Sequence, residues 1–506
     1  MSDVTKRIAK NSLFLYGRLF FTTAVSLIAV RLLLQALGAT DYGIFSIISG
    51  VIAMLQLLNG TMATATMRFI VCAEGEHDAI KQNRIFNLAM RIHFVMALII
   101  ALSMEFCFFF LWDKLFNLPL ERVFAAKVVF QYMVFISFCS ISTNPYESVI
   151  IAHERMIFFS LWGIFQAAGK LALCIALFYW GADRLLFYGF GMMLVLSGTA
   201  VWRITYCRQF PESRIRLSCP IKKQELLQIF SFSGWSFCGN VSDTIACTGS
   251  SILLNRFFGV LVNAAEGISS QISGQLAIFA TTVMQAINPV IMKYESSNNQ
   301  SAALKIANCS CRFTIFIFLF FAMPFLFEID FIMRLWVKNV PEYTAVFCRL
   351  TVIRSAFILL SNPFVTYLNA TGKIKGFEVT DCFLHFGTLL ASYLLLLAGM
   401  PPPAVYVALL VCCLVRLITR VFWAARAGNF AQSDFWIGCF GRAATICAIV
   451  LLGTFPVYFS IHHPVIRLFA VSITTSLLTL AGSWFIGMTV AERDRVKKLF
   501  IKKNIF

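Results

Sequence analysis

Fourteen apolar stretches, each long enough to cross a bilayer, constrain this chain more than any other feature. They fall near residues 12–34, 44–66, 87–112, 122–144, 157–180, 185–206, 226–250, 262–290, 309–329, 343–368, 377–398, 402–424, 435–459 and 464–488. A spanning helix needs about 20 consecutive apolar residues, whereas a spanning β-strand needs only about 10 of alternating polarity. Continuous apolarity of this length therefore excludes a barrel and predicts an all-α polytopic membrane protein of about 14 transmembrane helices. Composition agrees, since 59% of the 506 residues are hydrophobic and only 13% charged, far from the balance of a soluble domain. The first stretch has no small-residue cleavage site before the next polar turn, so it is expected to stay in place as an uncleaved insertion signal.

The chain carries 42 Lys and Arg against 24 Asp and Glu, a net charge of +18. Such a surplus can signal nucleic acid, but its placement does not. With the N-terminus inside, 28 of the 42 basic residues lie in cytoplasmic segments, among them Arg203, Arg214, Arg216, Arg416 and Arg420, and 7 lie in outer loops. That asymmetry follows the positive-inside rule, predicts both termini in the cytoplasm, and accounts for the charge as topology and contact with anionic membrane lipids. No nucleic-acid partner is expected. The 16 cysteines are scattered through apolar runs without zinc or redox spacing, so they read as small buried hydrophobes and no metal site is expected.

An internal repeat divides the chain. The turn that runs from Arg31 to Gly38 returns from Leu253 to Gly259. Thr143-Asn144-Pro145-Tyr146, with His153-Glu154-Arg155-Met156, returns as Ser361-Asn362-Pro363-Phe364 with Thr371-Gly372-Lys373-Ile374. Two anchors displaced by nearly the same length of chain predict two parallel six-helix repeats plus two extra C-terminal helices. The expected division is an N-terminal lobe over 1–222, a C-terminal lobe over 223–427, and helices 13 and 14 with a basic tail over 428–506. The basic loop from Arg203 to Lys223, with Pro211 and Pro220, is the expected cytoplasmic linker. No loop is long enough for a nucleotide-binding domain. The nearest approach to a P-loop, Gly163 to Leu171, has the wrong spacing and lies in a spanning helix. No cofactor and no catalytic residue is expected.

Ionisable residues that cannot snorkel out of the bilayer are functional candidates. Lys170 lies near the midplane and is expected to line a hydrated cavity, the alternative being an ion pair with a neighbouring helix. Arg31, Lys127 and Arg442 lie close enough to helix ends to snorkel, whereas Arg18, Arg349 and Arg354 lie deeper. Polar stripes run along helix 1 (Asn11, Arg18, Thr22, Ser26), helix 2 (Gln56, Asn59, Thr66), helix 7 (Ser236, Asn240, Asp243, Cys247, Ser251) and helix 8 (Gln271, Gln275, Thr282, Gln285). These are equivalent pairs in the two repeats, which favours a shared cavity over simple interhelical seams. Arg18, Lys170, Arg354, Asn240, Gln271 and Gln275 are the expected substrate contacts. Asp243 and Glu105 are the deep acids expected to exchange a coupling ion.

The N-terminal Lys10-Asn11-Ser12, the motif Leu37-Gly38-Ala39-Thr40-Asp41-Tyr42-Gly43-Ile44-Phe45 and Asn369-Ala370-Thr371-Gly372-Lys373-Ile374 carry a resemblance over most of the first twelve helices. The chain resembles the Wzx-type polysaccharide-transporter flippases of the multidrug/oligosaccharidyl-lipid/polysaccharide superfamily. The resemblance implies two six-helix lobes around a cavity lined by helices 1, 2, 7 and 8. It also implies, as substrate, an undecaprenyl-diphosphate-linked oligosaccharide destined for O-antigen, capsule or another surface polymer. Polysaccharide polymerase and glycosyltransferases would then be functional partners. The pair Gly17-Arg18 is similar to the arginine after a small residue in the sister lipid II flippases, which implies a diphosphate-binding role for Arg18; where that branch has a second arginine, this chain has Thr22, Thr23 and Ala24. The alternatives are a MATE-like multidrug or cation antiporter, which would prefer an acidic cavity, and a membrane-embedded polymerase or glycosyltransferase, for which no catalytic array is visible.

Overall fold

The computed structural model describes residues 2–55, 57–76, 78–111, 120–216, 222–336, 341–428, 430–490 and 492–494, which are helical throughout their length apart from short turns and contain no strand. Twelve of the described helices are long and apolar enough to cross a membrane. The second and seventh of the fourteen stretches are helical as well, within Ser2–Leu55 and Leu57–Gly75 and within Lys223–Phe258. The seventh falls short in apolarity because Gly, Ser, Thr and Asn replace aliphatic residues along it. The chain is thus an all-α polytopic protein of the predicted kind. It forms two compact units, one of residues 10–234 and one of residues 1–9 with 235–506.

The helices turn large apolar side chains outward. In Ala79–Phe106 the exposed residues include Phe94, Val95, Leu98, Ile99 and Leu102, while Ala97, Ile100 and Met104 are buried. A soluble protein would do the reverse. Small residues let helices approach closely where lipid gives no hydrophobic drive to association. Ala97, Ala125 and Ala126 pack in this way around Phe130 in the first unit. Phe347 stacks on Tyr406 at 4.3 Å in the second.

The repeat is written into the backbone. Gly38 and Gly259, which end the two matching turns, adopt φ/ψ of 79°/172° and 81°/−173°, a region that side chains rarely enter. Each glycine bends the chain between two consecutive helices. The second anchor repeats too: Glu154 and Gly372, at corresponding positions of the two copies, both have positive φ, 54° and 76°, and Gly372 caps Thr344–Thr371 in the left-handed conformation. Because a Cβ at Gly38 or Gly259 would meet nothing within 4 Å, only backbone strain opposes substitution. Gly38→Ala and Gly259→Ala are each expected to lower stability by about 1–3 kcal/mol, read from unfolding of the purified protein in detergent. Unchanged unfolding would mean that the bend is not conformationally demanding.

The expected linker is partly docked on its own unit. Glu212 and Ser213 are buried. Asn83 donates to the carbonyls of Glu212 and Arg214 at 2.7 and 3.0 Å, Asn87 accepts from the Arg216 amide at 2.6 Å, and His153 pairs with both Glu74 and Glu212. Residues 217–221 of that loop lie outside the described residues. At another end of the same unit, Arg122 binds Asp41 and Asp183, the latter at 2.8 Å. Asp183 also caps Arg184–Cys207 by accepting from the Leu185 and Leu186 amides.

Candidate functional sites in the two units

In the unit of residues 10–234, Arg203 of Arg184–Cys207 projects inward and is 4% exposed. Its guanidinium donates to Glu147 at 2.7 Å and to the Thr143 hydroxyl at 2.9 Å, and lies 4.3 Å above the Trp162 ring. Arg18 also acts electrostatically on Glu147, but its guanidinium rests on Phe159, 4.4 Å from the ring centroid. The Nη1 of Arg18 is buried and has no hydrogen-bond partner among the described residues. Gly163 makes room for it, since a side chain at that glycine would collide with the arginine. Arg203 thus holds the carboxylate, and Arg18, within its electrostatic reach but without an ion pair among the described residues, presents an unsatisfied donor.

In the unit containing residues 235–506 the same frame is filled differently. Arg420 donates to the Ser361 hydroxyl at 2.8 Å and to Asp381 at 2.8 Å. Ser361 is the repeat counterpart of Thr143, and Arg420 falls within one position of the counterpart of Arg203, so the arginine–hydroxyl clasp recurs in both repeats. Arg416 binds Asp381 at 3.1 Å and Asp243 at 3.5 Å, and His385 meets Asp243 at 3.3 Å. The small and large partners are exchanged. Gly239 is the counterpart of Arg18 when the two glycine bends are superposed in sequence, and the Glu378 carboxyl occupies the space that a side chain there would take. Asp381 is the counterpart of Gly163 in the register of the Asn-Pro anchors. The first repeat thus places a cation where the second places two acids.

The other sequence candidates are dispersed. Lys170 is half-buried on Met156–Ala176, with no ion pair among the described residues. Arg354 donates to the Cys247 sulfur at 3.4 Å and keeps a buried, unpartnered Nε. Asn240, Gln271 and Gln275 are exposed in the structure. Glu105 accepts from Gln131 at 3.2 Å, and Asp243 is engaged as above. On the second stretch, Asn59 accepts from Asn144 at 2.9 Å and Thr66 bonds His93 at 3.0 Å. These two are interhelical seams within one unit, and Gln56 lies outside the described residues.

Glu378, Arg416, Arg420 and the Glu147–Arg203 pair are absent from the sequence candidates. The signal was present: on Lys375–Leu397 the buried polar residues Glu378, Asp381, His385, Thr388 and Ser392 follow spacings of three and four, the period of one helical face.

No family model matches this chain, and no curated protein does. Solved structures do. An outward-facing multidrug resistance MATE family transporter of the MOP superfamily matches with a TM-score of 0.68 at 14% identity, covering 84% of this chain and 96% of that one. The Vibrio cholerae MATE transporter VcmN in its bent form matches with a TM-score of 0.70 at 13% identity over 86% and 99%. A MOP superfamily transporter from Pyrococcus furiosus, described as having a binding pocket of reverse polarity that suggests a different function, matches with 0.68 at 13% over 85% and 96%. These proteins are transporters rather than enzymes, and the chain is a multi-pass membrane protein with the fold of the MATE transporters of the MOP superfamily.

Proposed function

We propose that this protein is a flippase for undecaprenyl-diphosphate-linked oligosaccharide, moving the repeat unit of O-antigen, capsule or another surface polysaccharide across a bacterial inner membrane by alternating access. The observation that carries the reading is Arg18, a deep guanidinium with an unpartnered donor beside a carboxylate already held by Arg203. An unsatisfied cation at membrane depth is costly. A diphosphate satisfies it with charge-assisted hydrogen bonds, which are about twice as strong as neutral ones. The lipid tail of such a substrate stays in the bilayer while the charged head needs protein contacts. Glycosyltransferases would supply it and a polymerase would consume it.

A second reading has its own observation. The carboxyls Asp243, Glu378 and Asp381 gather in one unit, as an exporter of organic cations would require. Arg416 and Arg420 occupy two of these acids, however, which leaves little anionic surface for a bulky cation. The polarity of the binding pocket is described as reversed in one transporter of this fold, so the shared fold does not decide the cargo.

Ligand-induced stabilisation separates the readings. Undecaprenyl diphosphate in mixed micelles, at about 100 times its Kd, is expected to stabilise the purified protein by about 2.7 kcal/mol. Tetraphenylphosphonium is expected to leave it unchanged. Stabilisation by the cation alone would favour the antiporter.

A further inference from the structure

The charges of the second cluster do not balance. Asp243, Glu378 and Asp381 face the guanidiniums of Arg416 and Arg420, with His385 against Asp243. Asp381 takes both arginines through a single oxygen, Oδ2. Its other oxygen, Oδ1, is buried and has no partner among the described residues, although the residue is only 4% exposed. Glu378 is 9% exposed. It makes no hydrogen bond or ion pair among the described residues and interacts electrostatically with Asp381, Arg420 and Arg416.

Two carboxylates at positions i and i+3 of one helix are neighbours, about 5–6 Å apart at Cβ. Like charges this close cannot both stay ionised at low cost when buried. The charged and titratable groups of this cluster come from three helices: Asp243 from Lys223–Phe258, which brings Gly239 against the Glu378 carboxyl, Asp381 and His385 from the helix of Glu378 itself, and Arg416 and Arg420 from Pro403–Gly428. Both arginines are already committed to Asp381, and the ammonium of Lys375, one turn before Glu378 on the same helix, lies over the Trp235 ring at 5.3 Å, so Glu378 has no ion pair among the described residues.

We propose that Glu378 and Asp381 form a proton-binding pair. One proton, taken from water, sits on a Glu378 carboxyl oxygen and serves the unpartnered Oδ1 of Asp381. Loss of that proton to water leaves two adjacent carboxylates competing for Arg416 and Arg420. Release therefore loosens the clasp between Arg420, Ser361 and Asp381, and protonation restores it. The proton-binding pair differs from the expected coupling acids: Asp243 belongs to the same cluster but pairs with Arg416 and His385, and Glu105 lies on Ala79–Phe106. Its use in driving transport rests on the flippase reading above, whereas the location of the proton does not.

Infrared difference spectroscopy of the full-length protein in lipid tests the location without any substrate. At neutral pH, Glu378→Gln is expected to delete one protonated-carboxyl C=O band that Asp243→Asn leaves in place. A wild-type spectrum unchanged by Glu378→Gln would overturn the proposal. Because the amide mimics the protonated acid, Glu378→Gln is expected to remain folded, with unfolding at the wild-type midpoint. For the driving role, flipping in liposomes is compared with and without an imposed pH gradient. The wild type should respond to the gradient and Glu378→Gln should flip at one gradient-independent rate. A Glu378→Gln protein that still responds to the gradient would refute coupling through this pair. Absence of flipping in the wild type would count against the flippase reading, with the infrared result still deciding where the proton sits.

Discussion

Arg420→Ala is expected to destabilise the protein by about 3 kcal/mol or more, the range for removing one member of a buried ion pair. The variant leaves Asp381, which is already unsatisfied at Oδ1, with one guanidinium in place of two, and leaves the Ser361 hydroxyl without its donor. Arg416 still reaches Asp381 at 3.1 Å, which places the loss at the lower end of that range. Arg203→Ala repeats the experiment in the other unit, where Glu147 loses its 2.7 Å partner. Denaturant unfolding in detergent measures both. Replacing the ionic pair by a neutral one, Arg420→Gln with Asp381→Asn, is expected to recover most of the loss, because desolvation of the two charges disappears together with their attraction. Wild-type stability in Arg420→Ala would mean that the clasp is not a buried ion pair in the membrane.

Arg18→Ala is expected to lower affinity for undecaprenyl diphosphate by about 10- to 100-fold, since a hydrogen bond to a charged group contributes about 1.5–3 kcal/mol and each step of about 1.4 kcal/mol is tenfold. Stability should change little, because Arg18 has no ion pair of its own among the described residues and touches Phe159 and Gly163. Arg18→Lys keeps the charge but loses the planar fork, so it should retain part of the affinity. The contrast between the two clasp arginines and Arg18 is the informative result: the former carry stability, the latter carries ligand. Weakened folding with unaltered ligand affinity in Arg18→Ala would assign it to structure.

The fold was legible because membrane helices announce themselves by continuous apolarity, and because the two glycine bends and the two Asn-Pro anchors survive in both repeats. The clasp was not. A count of charges by loop places Arg203, Arg416 and Arg420 at the membrane surface, yet each lies inside a helix, Arg184–Cys207 or Pro403–Gly428, with its partner on a different helix. Such pairings are tertiary facts that no single helix displays. The polar face of Lys375–Leu397 was within reach of periodicity, but Glu378 and Asp381 sit in its first two turns, where an acid reads equally well as an exposed residue near a helix end. Asn240, Gln271 and Gln275 belong to the polar stripes of the sequence without being drawn into either cluster.

Flipping by the purified protein alone tests the central claim most directly. Liposomes containing the protein and a fluorescent undecaprenyl-diphosphate-linked oligosaccharide are treated with an impermeant quencher of the label. Transfer of label between leaflets without nucleotide, abolished in Arg18→Ala and preserved in Asn240→Ala, is the result expected here. A wild-type protein that leaves the labelled lipid in its original leaflet, while the same liposomes accumulate an organic cation against a gradient, would contradict it.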